Sequence, residues 1–246
     1  MDSLAFLVVA LISGAIAGTF LGLVNLVAVE PYLDEAIGIE VQNAIADGEE
    51  VNTDEIVDYR IWQKGGQIAA GTILGMSFGA LLGIVFVFAR NKVIVSTNNS
   101  DLKNVILIAV ILWLVLFLIP AIKYPANPPT VGDPTTIYER QTLYISFILM
   151  SGFVALGSSI IFKKIDAKLP LKFLVVSIIY GVVMTVLFVT MPSNPDEITA
   201  PADLVNGFRM ASMATMTMFW IILGITFGVM WDKIKPHRQS HEFTTI

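Results

Sequence analysis

The 246-residue chain is 55% hydrophobic, only 14% charged, carries a formal net charge of −5 and has no cysteine. Soluble domains run nearer a quarter charged, so the composition excludes an ordinary water-soluble fold. The missing cysteine excludes disulfides and thiolate metal sites.

Six apolar stretches follow one another along the chain: 4–29, 66–89, 102–122, 142–162, 173–191 and 208–230. Each is about 20 residues or longer, enough for a helix rising about 1.5 Å per residue to cross a hydrocarbon core of about 30 Å. Apart from Lys103 and Arg209 at their edges, the stretches are uncharged. The apolar runs are continuous and lack the period-2 alternation of barrel strands, which excludes a transmembrane β-barrel. The predicted fold is all-α: a polytopic membrane helix bundle of six transmembrane helices, with residues 1–246 forming a single integral-membrane domain.

The first stretch contains Ala15-Ile16-Ala17, which has the small-x-small look of a signal-peptide cleavage site. No positive charge precedes it, and the apolar run continues well past it, so a retained span is expected.

Charge sorts between the spans. The second connection carries Arg90, Lys92 and Lys103, the fourth carries Lys163, Lys164, Lys168 and Lys172, and the C-terminal tail carries Lys233, Lys235 and Arg238. The positive-inside rule puts these segments, and with them both termini, in the cytoplasm of a multi-pass protein of the cell membrane. The other side is acidic. An extracytoplasmic loop, 30–65, holds Glu30, Asp34, Glu35, Glu40 and six further acids, and the third and fifth connections add Asp133, Glu139, Asp196, Glu197 and Asp203.

Glycines recur every fourth residue at Gly14, Gly18 and Gly22, at Gly71, Gly75, Gly79 and Gly83, and at Gly224 and Gly228. Such ridges let helix backbones approach closely, so the first two spans are expected to pack on each other. A mobile or pore-lining face is the competing reading. Pro31 ends the first helix or starts the next, and residues 32–46 have the makings of a short surface helix. The third connection, Lys123-Tyr124-Pro125-Ala126-Asn127-Pro128-Pro129 and then Gly132-Asp133-Pro134, reads as a stiff segment of defined shape. Tyr32, Tyr59, Trp62, Tyr124 and Tyr138 fit an outer aromatic belt.

No catalytic constellation is visible: the spans hold no carboxylate, histidine or cysteine, and no phosphate-binding Gly-Lys-Ser/Thr loop occurs. The chain therefore reads as a non-enzyme without a bound cofactor, with the lipid bilayer as its setting and no nucleic-acid partner. The strongest candidate group is at the outer membrane edge. Asn25, Glu30 and Asp34 end the first span, Asp133 and Glu139 frame the third connection, and oxygen ligands of this kind suit hard or borderline divalent cations. Glu30, Asp34, Asp133 and Glu139 are the candidate metal ligands. The structural alternative pairs Glu30 with Lys123, Arg140 or Arg209, orienting rigid loops. Met210, Met213 and Met216 could offer thioethers to a soft metal, but methionine also fills helix interfaces, which is the expectation here. His237 and His241, spaced i, i+4 in the tail, would make a metal pair only if that tail were helical.

Three stretches resemble the CbtA family of probable cobalt transporter subunits. They are the glycine-rich opening span running into Val29-Glu30-Pro31, the proline-rich segment 123–134 with Arg140 beyond it, and Pro201-Ala202-Asp203-Leu204 leading to Phe208-Arg209, Ser212 and Trp220. The resemblance implies a membrane protein of cobalt uptake for cobalamin synthesis, with cobalt(II) as transported substrate. It also implies a small histidine-rich partner with one span (CbtB-like), which would supply the imidazoles this chain lacks outside its tail. The leading expectation is a cobalt or divalent-metal uptake subunit with an outer-face site framed by carboxylates and the rigid proline-rich loop. The alternative is a non-transporting accessory membrane subunit of a larger complex.

Overall fold

The computed structural model describes residues 3–89, 101–196, 198 and 200–234. Among these there is no strand. The helices are α1 (Ser3–Ala28), α2 (Glu30–Ala46), α3 (Thr53–Ala89), α4 (Leu102–Trp113), α5 (Ile119–Lys123), α6 (Ile137–Lys164), α7 (Leu169–Thr190) and α8 (Ala202–Ile234). A π-helical turn, Leu114–Leu118, joins α4 to α5, and a 3-10 turn, Pro134–Thr136, leads into α6. Six helical segments are long and apolar enough to cross a membrane: Ser3–Ala28, Thr53–Ala89, Leu102–Lys123, Pro134–Lys164, Leu169–Thr190 and Ala202–Ile234. The chain falls into two compact units, one built from α1, α2, α3, α4 as far as Ile111, Pro128–Thr130 and α8, the other from Leu112–Asn127 and Val131–Pro201.

In the first unit the glycine ridges meet. Gly14 lies against Gly75, Gly18 against Gly71, and Gly22 against Ile68, so α1 and α3 run antiparallel with backbones in contact. A Cβ on Gly18 or Gly75 would fall onto backbone atoms of the opposite helix. This is the packing expected of such ridges, and it leaves no channel along that face. On the other side of the unit, Gly224 and Gly228 of α8 receive Ala109 and Leu102 of α4. Phe86 of α3 packs on Phe227 and Trp231 of α8, with ring centroids among the three 4.9–6.0 Å apart. Asp232 accepts the Asp101 backbone N–H at 2.8 Å, and the Trp231 indole N–H donates to the Asp101 carboxylate at 3.1 Å, which fixes the start of α4 against the end of α8.

The long first connection is mostly helix. Pro31 stands in the first turn of α2, where its missing N–H costs nothing. Gly48, at φ 83°, closes α2: its N–H bonds the Ile45 carbonyl and the Glu49 N–H bonds that of Ala44, which satisfies two orphan carbonyls. Asn52 then accepts the Glu55 N–H at 3.2 Å and starts α3. Consequently α3 begins thirteen residues before the apolar run at Gly66, and the surface helix expected at 32–46 begins at Glu30.

In the second unit, Pro120 explains the π turn. The Ile119 N–H reaches back five residues to the Leu114 carbonyl. In that register the next donor would be residue 120, which is proline, so the Val115 carbonyl loses its partner. The buried Ser151 hydroxyl of α6 donates to it at 2.6 Å. Ser151 lies 2.7 Å from the Tyr180 hydroxyl of α7, and with its proton spent on Val115 it accepts from Tyr180.

The outer aromatics divide. Tyr59, Trp62 and Tyr138 are exposed. Tyr124 is instead buried, edge-on to Phe147, with its hydroxyl donating to the Pro192 carbonyl at 2.7 Å. Tyr32 packs against Gly207, where a Cβ would strike the ring. The methionine stripe is only partly a packing surface: Met213 and Met216 are half-buried, whereas Met210 is exposed.

Candidate functional site

Two polar centres stand out, one in each unit. In the first, α2 presents Glu30 and Asp34 and α3 presents Arg60 and Lys64, each pair spaced i, i+4 and so on one helix face. The Arg60 guanidinium bridges both acids. Its Nη2 donates to Glu30 Oε2 and, at 2.9 Å, to Asp34 Oδ1. Its Nη1 donates to Gln63 Oε1 at 2.7 Å. The Lys64 ammonium donates to Asp34 Oδ2 at 2.9 Å and lies 3.7 Å from Glu30 Oε2.

Burial grades the cluster. The Glu30 and Arg60 side chains are 6% and 11% exposed, those of Lys64 and Asp34 38% and 50%. Burial pushes the Asp34 carboxyl upward, but the hydrogen bonds and charges of Lys64 and Arg60 outweigh it and hold the group below its ordinary value of 3.8. A depressed carboxyl stabilises the fold above its unfolded value and loses that contribution as pH falls through the folded one, so this link weakens only below about pH 4. An open pocket of about 370 Å³ lies between α2 and α3 beside the cluster, with Ile37, Val41 and Val57 among its apolar walls and Asp34, Arg60 and Lys64 at its charged end.

In the second unit the centre is Asp196, whose side chain is fully buried. It accepts from Arg140 Nη1 at 2.7 Å, from Asn127 Nδ2 at 3.2 Å and from the Asp133 backbone N–H at 2.7 Å. Gly132 adopts φ 107°, and a Cβ there would overlap the Asp196 carboxylate, so glycine is required twice over. The Asp133 side chain turns the other way. It accepts the Thr135 N–H at 2.8 Å and hydroxyl at 2.7 Å, capping the 3-10 turn, and these bonds hold its carboxyl below the ordinary value. Glu139 is exposed in the first turn of α6.

Of the four candidate ligands, Glu30 and Asp34 therefore share one cluster in the first unit, and Asp133 and Glu139 belong to the second. Among the described residues, no group of three or more His, Asp or Glu is placed to hold a metal ion. The partners of Glu30 are Arg60 and Lys64, bases of its own connection, and not Lys123 or Arg140. Lys123 donates to the Met191 carbonyl at 3.1 Å, its ammonium 4.9 Å from the Phe188 ring, and so closes the end of α7. Arg140 pairs with Asp196. Arg209 is half-buried on α8. His237 and His241 lie outside the described residues.

Sequence reasoning passed over Arg60, Lys64 and Asp196. The first two had a usable signal: matching i, i+4 acid and base pairs in one connection, with the Asn52 cap marking where α3 begins. Asp196 had none, since an acid after proline, here with Glu197 beside it, reads as an ordinary turn residue.

No curated protein and no solved structure matches the chain. A family model does, over residues 4–232, which takes in all eight helices up to the last turn of α8. The chain thus belongs to the CbtA family, described as probable cobalt transporter subunit.

Proposed function

We propose that this chain is the membrane subunit of a cobalt or other divalent-metal uptake transporter, and that Glu30 and Asp34 form the site where the ion enters from the extracytoplasmic side. Family membership supports the substrate class. The observation that carries the site is the graded cluster: a half-exposed Asp34 leading to a buried Glu30, with both carboxylates balanced by Arg60 and Lys64. Two acids and two bases sum to zero. A divalent ion gains full attraction only if a base withdraws, and Lys64 is the suited one, a compact ammonium on a flexible stem with more than a third of its side chain exposed. Lys64 then acts as a resident stand-in that keeps the carboxylates paired and the helices apposed between ions.

Asp133 and Glu139 contribute at longer range, raising the local cation concentration at the acidic face. Both termini lie in the cytoplasm in this reading, as the basic connections require. A small histidine-rich membrane partner of the CbtB kind supplies imidazole ligands. Purified chain in liposomes, with and without that partner, tests the proposal. Cobalt influx in either case is the expected result. No flux in both, together with stable co-purification in a larger complex, would establish the accessory role instead.

A further inference from the structure

The contacts between α1 and α3 step outward in register, Gly14 on Gly75, Gly18 on Gly71, Gly22 on Ile68. Asn25 follows Gly22 by three residues, and Gln67 precedes Gly71 by four, so both continue the glycine faces one turn further out. Beyond them come Glu30, Arg60 and Lys64. By this register Gln67 stands level with Gly22 and Asn25 about one turn further out along the seam; Asn25 Oδ1 and Gln67 Oε1 are both fully buried and neither receives a hydrogen bond. A buried acceptor left without a donor forfeits its hydration with nothing in exchange. Two such orphans on facing helices call for a group that supplies positive charge or protons, an ordered water or a cation.

We propose that Asn25 and Gln67 complete the divalent-cation site that Glu30 begins, their side-chain carbonyl oxygens serving as its neutral ligands; this rests on the uptake reading above. The chemistry is consistent. Hard divalent ions take six or more oxygen ligands, and amide carbonyls supply them without adding charge. Arg60 stays hydrogen-bonded to Asp34 and to Glu30 Oε2, while Lys64 yields to the ion. The floor is the glycine seam, where not even a methyl group fits, so in this conformation the site is closed from below. A set made only of oxygens selects by charge and size. This chain's own set lacks the imidazole that would favour cobalt(II) over manganese(II), which the uptake reading assigns to the partner.

The test is binding of Mn(II), followed by electron paramagnetic resonance, to the full-length protein in detergent micelles, with cobalt(II) as competitor. Asn25→Leu and Gln67→Leu should each weaken Mn(II) affinity about tenfold without lowering the melting temperature, since each removes an orphaned polar group. Asn25→Asp should tighten binding, and Glu30→Gln should abolish it. If Glu30→Gln abolishes binding while both leucine variants and Asn25→Asp leave it unchanged, the amides hold water and this inference falls, with the carboxylate site intact. If Glu30→Gln also changes nothing, the uptake site itself is misassigned. Should a leucine variant misfold, Asn25→Asp decides: tighter binding supports the assignment, unaltered affinity overturns it.

Discussion

At Glu30 a nearly buried carboxylate meets the Arg60 guanidinium, also nearly buried, while the outer pair, Asp34 and Lys64, remains half in water. The two bases should therefore differ in structural weight. Removing Arg60 leaves Glu30 charged in a dry setting, which in buried pairs costs about 3–5 kcal/mol. Removing Lys64 breaks a pair screened by solvent, where the contribution is below about 1 kcal/mol. Arg60→Met should then lower the melting temperature of the solubilised protein sharply and Lys64→Met hardly at all. Equal losses would contradict the view of Lys64 as the exchangeable base. The carboxylates themselves were legible in the sequence, as acids at the end of an apolar run. Their partners were not, because pairing depends on α3 starting at Thr53, and that start rests on a single cap at Asn52.

At the scale of elements, the six spans were legible because a run of apolar residues long enough to cross a bilayer has few other uses. The helical nature of 30–65 was only half legible: charged residues mask a helix that has no apolar stripe to bury. The glycine ridges gave the α1–α3 packing, and the structure sharpens it into a prediction. Gly75→Ala places a methyl group on the Gly14 carbonyl and must part the two helices, so the folded protein should be lost or markedly destabilised. Gly181→Ala, on α7, meets nothing within 4 Å and should be neutral or stabilising by up to about 1 kcal/mol. The π turn at Leu114–Leu118 gives a second. Ser151→Ala removes the donor to the Val115 carbonyl and should cost about 1–3 kcal/mol. Adding Pro120→Ala restores a backbone N–H and should recover part of that loss; a strictly additive double variant would refute the compensation.

For the molecule as a whole, charge asymmetry carries most of the functional argument. Fifteen acids fall on the connections assigned to the outer side, against five bases. Most are exposed and set a field that concentrates cations. Few are placed to do more. Asp196 is spent on fixing the proline-rich segment, and Asp133 on capping a turn. Glu30 and Asp34 remain, ion-paired to Arg60 and Lys64. In the proposed function, cobalt passes through that pair. Cobalt accumulation at limiting external cobalt, in cells without another uptake route, tests it most directly. Glu30→Gln combined with Asp34→Asn should reduce accumulation about tenfold or more, while Asp133→Asn combined with Glu139→Gln produces a much smaller loss. Wild-type accumulation by the Glu30/Asp34 variant, present in the membrane at the normal level, would contradict the account.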